Sequence, residues 1–220
     1  MEILNTVHFF APSLYLMAII QRRQREKENI RSRILEEARL LFFEKGYDNA
    51  SIRNIAERIE YSVGTIYLHF KDKDSIFHAL QLEGFGLLMA KMQVLESVEH
   101  PFERLKAMGT IYLDFAKKNP ELYDLMFILR APMNCLEEHE GWLEGKKTFD
   151  FLIKIVEECQ EIGQFKNHAD AETLAFSIWA SVHGIAALNI RGRCRVVSEE
   201  KRETIDVKAY RDYITMLAKS

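Results

Sequence analysis

The residues best suited to contact another molecule form a short stretch at positions 63–69. It contains no acidic residue, and most of its side chains are small or can form hydrogen bonds. A helix that enters the major groove of DNA needs such a surface, because bulk or negative charge would hold it away from the phosphates. If the stretch is helical, its outward side chains are Val63, Gly64, Thr65, Tyr67 and His69.

Two short helices joined by a tight turn would position this surface. Ser51 is a good N-cap for one helix and Ser62 for the next, which we expect to run to about Phe70. An apolar seam between the two helices is formed by Ile55, Ala56, Ile59, Ile66 and Phe70. Two helices joined by a turn of three to four residues have helix-turn-helix geometry.

The segment resembles the TetR family of bacterial transcriptional repressors, most specifically over residues 30–77. The resemblance rests on a first helix ending at Gly46-Tyr47, on Ser51-Ile-Arg-Asn-Ile-Ala, and on Thr65-Ile-Tyr-Leu-His-Phe-Lys-Asp-Lys73. It extends more weakly to about residue 218. There, Trp179-x-x-x-His183-Gly184 is similar to the Trp-His-Gly signature of one subgroup of the family's C-terminal domains.

The resemblance implies DNA contacts for six residues: Ser51 and Arg53 at the start of the second helix, Thr65, Tyr67 and His69 around the third, and Lys73 at the start of the fourth. Base contacts specify and phosphate contacts position. We therefore expect Val63, Gly64, Thr65 and Tyr67 to set sequence preference, and Arg53, His69 and Lys73 to set affinity. The alternatives are that Tyr67 mainly packs and that His69 caps or is solvated. Arg58 and Lys71 are interpreted as solvated.

Glu60 departs from the family pattern, which usually has glycine in the turn. If the turn needs a left-handed backbone there, a non-glycine residue costs roughly 1–2 kcal/mol.

Residues 21–33 carry six basic residues against two acidic ones: Arg22, Arg23, Arg25, Lys27, Arg31 and Arg33 against Glu26 and Glu28. Such a run is usually a solvated helix end, and otherwise an arm for nucleic acid or a membrane surface. Beside a helix-turn-helix, this basic run can add contacts to the minor groove or to phosphates of the DNA.

Residues 1–20 are interpreted as a leader, of which residues 1–16 are dispensable because Met17 could serve as a start. The alternative is a packing or membrane-surface extension. The dense apolar run Leu14–Ile20 is far shorter than the ~20 residues that cross a bilayer.

The chain as a whole is predicted to be all-α. Among 220 residues there are only 10 Gly and 4 Pro, and the apolar periodicity is helical almost throughout. We expect a three-helix DNA-binding head at 21–75 and a helical regulatory and dimerisation domain at 76–220. Three cysteines without Cys-x-x-Cys spacing indicate a reducing, cytoplasmic compartment.

The stretch 174–190 is apolar on nearly every side. Such a helix must be covered on every side, and a second copy of the chain is the simplest cover. The alternative is the central helix of a monomeric bundle. We predict that the chain forms a homodimer through this stretch and that the helix at 205–217 extends the same surface. We predict no membrane span.

Aromatic and methionine residues are dense between 100 and 190, which suits an apolar pocket between helices. The predicted lining comprises Tyr112, Met126, Phe127, Phe176, Trp179 and His183. For His183 the alternative is a core histidine bonded to a neighbouring carbonyl. The other aromatic residues are most often plain core.

These features predict a ligand-responsive repressor that binds a palindromic double-stranded operator as a dimer and is released by a small hydrophobic effector. No phosphate loop, metalloprotease motif or nucleophile elbow is present in the sequence, so neither an enzyme nor a cofactor or metal site is predicted. Two alternatives stay open: an architectural DNA binder without an effector, and a helical small-molecule carrier or enzyme with a vestigial DNA head.

Overall fold

The computed structural model describes residues 14–129, 143–165 and 170–218. All the long elements in these ranges are helices, and the ranges contain no β-strand, which confirms the all-α prediction. The helices are α1 (Leu14–Lys45), α2 (Ile52–Ile59), α3 (Val63–Tyr67), α4 (Lys73–Met92), α5 (Pro101–Lys118), α6 (Pro120–Tyr123), α7 (Leu143–Glu161), α8 (Ala171–Ile190) and α9 (Ile205–Leu217).

Shorter helical turns lie between these elements. A 3₁₀ turn, Gln93–Ser97, follows α4, and a π-helical turn, Asp124–Ile128, continues α6. Two further 3₁₀ turns, Arg193–Val196 and Glu199–Lys201, connect α8 to α9.

Several boundaries differ from the sequence prediction. Helix α3 ends at Tyr67 rather than near Phe70. The apolar spacing along the fourth helix predicts that Leu87 points inward, whereas the structure has it exposed. Helix α1 begins at Leu14, so the basic run at 21–33 is part of one long helix. In the sequence, Pro132 predicts a helix break and Trp142 a helix start, but both positions lie outside the described residues, as does most of the predicted leader.

The head is built from α1 to α3 and the start of α4, around buried side chains from each element. Ile34 and Leu41 of α1, Ile55 of α2, Ile66 of α3 and Ile76 of α4 are all fully buried. The body packs α5 against α7, α8 and α9, and α4 contacts both parts. Helix α4 therefore links the head to the body.

Among the described residues, α8 has the length and apolar composition of a membrane span, with a mean hydropathy of 1.4. That test uses length and composition alone. Helix α8 packs against α5, α7 and α9 on one side, while only 28% of its apolar window is buried by the protein.

Candidate DNA-binding site

Helices α2 and α3 are each started by a serine cap, as the sequence predicts. The Asn54 amide donates to Ser51 Oγ at 3.2 Å, and the Thr65 amide donates to Ser62 Oγ at 3.1 Å. These caps satisfy amides that would otherwise be unpaired in the first turns. The predicted seam is also confirmed, since its five side chains, Ile55, Ala56, Ile59, Ile66 and Phe70, are all buried.

The turn between α2 and α3 has a left-handed residue at Glu60, with φ 60° and ψ 38°. It is the one non-glycine residue with positive φ among the described residues. Its amide bonds back to the last turn of α2, as the C-terminal residue of a helix often does. The family's glycine position is thus occupied here by a strained glutamate.

Helix α3 presents its outward side chains to solvent. Tyr67 is 55% exposed and Val63 37% exposed, and Gly64 is exposed as well. Leu68, which sequence reasoning missed, is 78% exposed beside Tyr67. The surface predicted to enter the groove is therefore accessible, while Ile66 anchors its back.

Thr65 is half-buried because its hydroxyl takes part in the cap of its own helix. Its Oγ1 lies 2.9 Å from Ser62 Oγ, and either atom can donate. The Thr65 hydroxyl keeps further bonding capacity, which a phosphate or base can use.

His69 lies just beyond α3, half-buried, with a buried Nδ1 that has no hydrogen-bond partner in the described part of the chain. Burial lowers the pKa of His69, and the positive charges of Lys27 and Arg31 lower it further. The imidazole is therefore mostly neutral near pH 7. Basic residues of α1 surround the residue that was expected to meet a phosphate.

Lys73, expected at the DNA, is mainly engaged within the protein. Its ammonium donates to the carbonyls of Tyr47 at 2.7 Å and Ala50 at 3.0 Å, and lies 4.0 Å from the centroid of the Tyr47 ring. Burial lowers the Lys73 pKa. An ammonium has three donors, so one remains for an anion beside the start of α2. Sequence alone could not reveal this tether, because its partners are backbone atoms more than twenty residues away.

Arg53 and Arg58 have different roles. Arg53 is exposed near the start of α2 and bonds Glu57 at 3.2 Å across one helical turn, so its guanidinium remains available to solvent. Arg58, interpreted as solvated, instead forms ion pairs with Glu44 and, at 3.7 Å, Glu37. Because both carboxylates belong to α1, Arg58 fastens α2 to α1.

Two arginines of the basic run reach the helix-turn-helix, which sequence reasoning missed. Arg33 donates to the Ile59 carbonyl at 3.0 Å, and the Arg31 guanidinium lies 4.3 Å from the centroid of the Phe70 ring. For Arg31 the spacing was the available signal, because Arg31, Ile34 and Ala38 are three and four residues apart and follow one side of α1.

The body contains an apolar cavity of about 250 Å³ between α4, α5, α7, α8 and α9. Its walls include Phe85, Met108, Tyr112, Phe127, Leu152, Ile178, Trp179, Val182 and Tyr210. The Tyr210 hydroxyl donates to the Leu105 carbonyl at 2.8 Å, away from the cavity. Lys146 lies at the wall, bonded to Asp150 at 2.7 Å.

The structure places only some of the six predicted pocket residues at the cavity. Tyr112, Phe127 and Trp179 line the cavity. Met126 is buried elsewhere in the core, and Phe176 is 56% exposed on the outer side of α8, against Trp179.

His183 lies behind the wall and joins a buried hydrogen-bonded cluster. Its Nδ1 is 3.1 Å from the Tyr112 hydroxyl and 2.8 Å from that of Tyr123. Burial raises the pKa of both tyrosines and lowers that of His183, so all three are neutral near pH 7. His183 thus supports the cavity wall through Tyr112.

Buried polar residues connect the cavity region to α4 and α8. Gln81 of α4 donates to the Leu125 carbonyl at 3.3 Å, and Arg191 at the end of α8 bonds both oxygens of Asp124 at 2.8 Å. Leu125 and Asp124 belong to the π-helical turn that also carries Phe127. These residues have no distinctive spacing, so sequence reasoning did not single them out.

An exposed helix-turn-helix mounted on a separate helical body with an apolar cavity defines a DNA-binding transcriptional regulator. Residues 34–80 match the model of bacterial regulatory proteins of the tetR family, and residues 105–211 match that of the tetracyclin repressor-like C-terminal domain. The chain belongs to the TetR family.

Individual relatives agree with this membership. The chain is 35% identical over 151 residues to the HTH-type transcriptional repressor AcnR of Corynebacterium glutamicum, covering 66% of this chain and 74% of that protein. It is 25% identical over 171 residues to a probable acrEF/envCD operon repressor of Escherichia coli K12, covering 75% and 78%. A tetR-family regulatory protein from Rhodococcus RHA1 shares the fold, with a TM-score of 0.68 and 20% identity over 86% of this chain and 95% of that one.

Metal binding finds no support in the described residues, which contain no group of three or more His, Cys, Asp or Glu able to hold an ion. The scattered Cys135, His139 and His168 lie outside those residues.

Proposed function

We propose that this regulator is a repressor that binds a palindromic operator as a homodimer and leaves it when a small hydrophobic effector binds. The observation that carries the proposal is the exposed face of α3 on a fully buried anchor, with Tyr67 55% exposed and Ile66 at 0%. A rigid, non-acidic helix of this kind can enter a major groove without first rearranging. It acts in the cytoplasm, through binding alone.

The dimer is supported by the outer face of α8. Phe176 and Leu188 on α8 and Met216 on α9 are each more than half exposed, and exposed apolar residues that form one patch mark interaction surfaces. A second copy of α8 and α9 would cover all three. Two copies place two α3 helices on one assembly, which matches a two-fold symmetric operator.

The effector is supported by the apolar cavity and its position. Phe127 lines the cavity on the same π-helical turn that Gln81 of α4 holds at Leu125. A ligand that displaces Phe127 therefore acts on α4, whose first turn belongs to the head. Operator and effector then weaken each other by the same factor, as linkage requires.

Selection from random double-stranded DNA with purified protein tests the operator. We expect an inverted repeat, together with a strong loss of affinity in Tyr67→Ala. Tyr67→Phe is the matched control, since it keeps the ring and separates stacking from hydroxyl contacts. Recovery of no inverted repeat contradicts the repressor and favours an architectural binder with a steep salt dependence.

A melting screen against apolar compounds tests the effector. A ligand at 100 times its Kd adds about 2.7 kcal/mol of stability. Val182→Phe, which fills the cavity, should abolish the shift, whereas Val94→Phe at an exposed site should keep it. An equal shift in both variants would place the ligand elsewhere.

A further inference from the structure

In the described part of the chain, the first half of α1 is almost entirely uncovered by other elements. Between residues 16 and 29, Ile19 alone is half-buried and every other residue is exposed. An isolated helix of this length is marginal in water, because nucleation is costly and no tertiary packing supports it. A partner that covers this segment would stabilise it.

One face of this segment carries a row of positive charges. Arg23, Lys27 and Arg31 are spaced four residues apart, so they lie on one side of the helix. The same row continues through the buried Ile34 and Ala38, which face the helix-turn-helix. The three cations therefore lie on the side of α1 that faces the DNA-binding elements.

Direct interactions place the inner end of this row beside the end of α3. The Arg31 guanidinium covers the Phe70 ring at 4.3 Å. Lys27 and Arg31 are also close enough to His69 for their charges to act on its imidazole. The row of three cations therefore begins next to the end of the exposed surface of α3.

The acidic residues of the segment are bonded to neighbours outside the row. Glu26 accepts from Arg22 Nε at 3.0 Å, and Glu28 accepts from Gln24 Nε2 at 2.7 Å. No ion pair involving Arg23, Lys27 or Arg31 is found in the described ranges, 14–129, 143–165 and 170–218. The row is therefore free to meet a polyanion.

We propose that the face formed by Arg23, Lys27 and Arg31 binds phosphates of the DNA that flanks the half-site contacted by α3. This inference rests on the proposed operator binding and extends the DNA interface beyond the helix-turn-helix. Eight residues of helix separate Arg23 from Arg31, or about 12 Å at 1.5 Å per residue. That length matches about three base pairs at 3.4 Å per step along one strand. Phosphate contacts carry no sequence information, so the face adds affinity and not preference.

The experiment measures DNA affinity of the full chain as a function of salt concentration. The probes are the inverted repeat recovered by selection, one copy without flanking base pairs and one with about one helical turn, ~10 bp, added at each end. The variants are Arg23→Gln, Lys27→Gln and the control Arg25→Gln. Arg25 lies about 200° around the helix from Arg23, so it removes an equal charge from the opposite face. Circular dichroism checks that helicity is kept.

On the long duplex, we expect Arg23→Gln and Lys27→Gln to reduce the salt slope of log K by about 0.9 for each bound subunit. On the duplex without flanks, both variants should match the wild type, and Arg25→Gln should match it on both. The selected sequence should not change.

Equal slopes for all three variants on the long duplex would overturn the proposal while leaving operator binding intact. Loss of binding to vesicles of anionic lipid in Arg23→Gln and Lys27→Gln, with unchanged DNA slopes, assigns the face to a membrane surface and also overturns it. If the wild type selects no sequence, the proposed function fails first, which is a distinct result.

Discussion

At the scale of single residues, Glu60 tests how the turn of the helix-turn-helix is built. Its left-handed backbone, with φ 60°, costs a residue with a Cβ roughly 1–2 kcal/mol, which glycine avoids. Glycine also makes the unfolded chain more flexible, which offsets part of the gain. We expect Glu60→Gly to raise the free energy of unfolding by about 0.5–1 kcal/mol, measured by urea denaturation.

Glu60→Ala separates backbone strain from charge. It removes the carboxylate but keeps the Cβ, so it should not reproduce the gain. A loss of stability in Glu60→Gly would show that the glutamate side chain itself stabilises the turn.

We expect His69 to make DNA binding depend on pH. In the free protein its pKa lies below the ordinary 6.5, because of burial and the nearby Lys27 and Arg31. A phosphate at the ring favours the imidazolium and raises the pKa in the complex. Binding therefore takes up a proton, and affinity should rise as pH falls below neutrality, until His69 is protonated in the free protein too.

Each unit of difference between the two pKa values changes affinity tenfold at most. Isothermal titration calorimetry in buffers of different ionisation enthalpy measures the proton uptake directly. His69→Gln should abolish it, whereas His78→Gln, on α4, should leave it unchanged. Uptake that survives in His69→Gln rules out a phosphate contact at this ring.

At the scale of helices, the sequence predicted where helices start more accurately than it predicted contacts between residues that are distant along the chain. Ser51 caps α2 as expected, and Pro101, a residue type favoured in the first turn of a helix, begins α5. Both signals are local, because capping and a missing amide act within one turn. The engagement of Lys73 with the Tyr47 and Ala50 carbonyls was not predictable, since it depends on tertiary approach. The same holds for the cavity, where Phe176 has the right residue type on the wrong side of α8.

The contact of α5 with α9 depends on a glycine. A Cβ added at Gly109 would lie 2.0 Å from Cζ of the buried Tyr210, whose hydroxyl is fixed by the Leu105 carbonyl. We expect Gly109→Ala to lower the free energy of unfolding by about 1–3 kcal/mol, because overpacking forces the helices apart. Gly86→Ala, where nothing lies within 4 Å, should instead add up to about 1 kcal/mol. Equal effects of the two changes in thermal unfolding would mean that Tyr210 moves aside at little cost.

At the scale of the whole molecule, polar contacts of the buried Gln81 and Asp124 connect the cavity region to α4 and to the end of α8. In the π-helical turn Asp124–Ile128, Phe127 lines the cavity and the Leu125 carbonyl accepts a hydrogen bond from Gln81 of α4. The carboxylate of Asp124 in the same turn pairs with Arg191 at the end of α8. π-Helical turns are frequent at functional sites. One short segment thus touches the effector region, the linking helix and the helix proposed to form the dimer.

The dimer itself can be tested at Gly184. On α8, Ser177, Ala180 and Gly184 form a row of small residues between the exposed Phe176 and Leu188. A glycine within a helix permits close approach of another helix, yet in the described chain only the backbone of α8 itself and the neighbouring residues lie within 4 Å of a Cβ added at Gly184. In the proposed dimer a second copy approaches α8 here, and a methyl group at 184 would intrude between the two α8 helices.

We therefore expect Gly184→Ala to have opposite effects on the stability of one subunit and on the association of two subunits. Within one subunit, alanine favours the helix by up to about 1 kcal/mol, as for Gly86→Ala. Between subunits, overpacking by about 1–3 kcal/mol should raise the dimer dissociation constant roughly 5- to 150-fold. Sedimentation equilibrium compares the two variants, and Gly86→Ala should dimerise like the wild type. Unchanged or tighter association of Gly184→Ala would mean that α8 does not pack closely against its copy at this point.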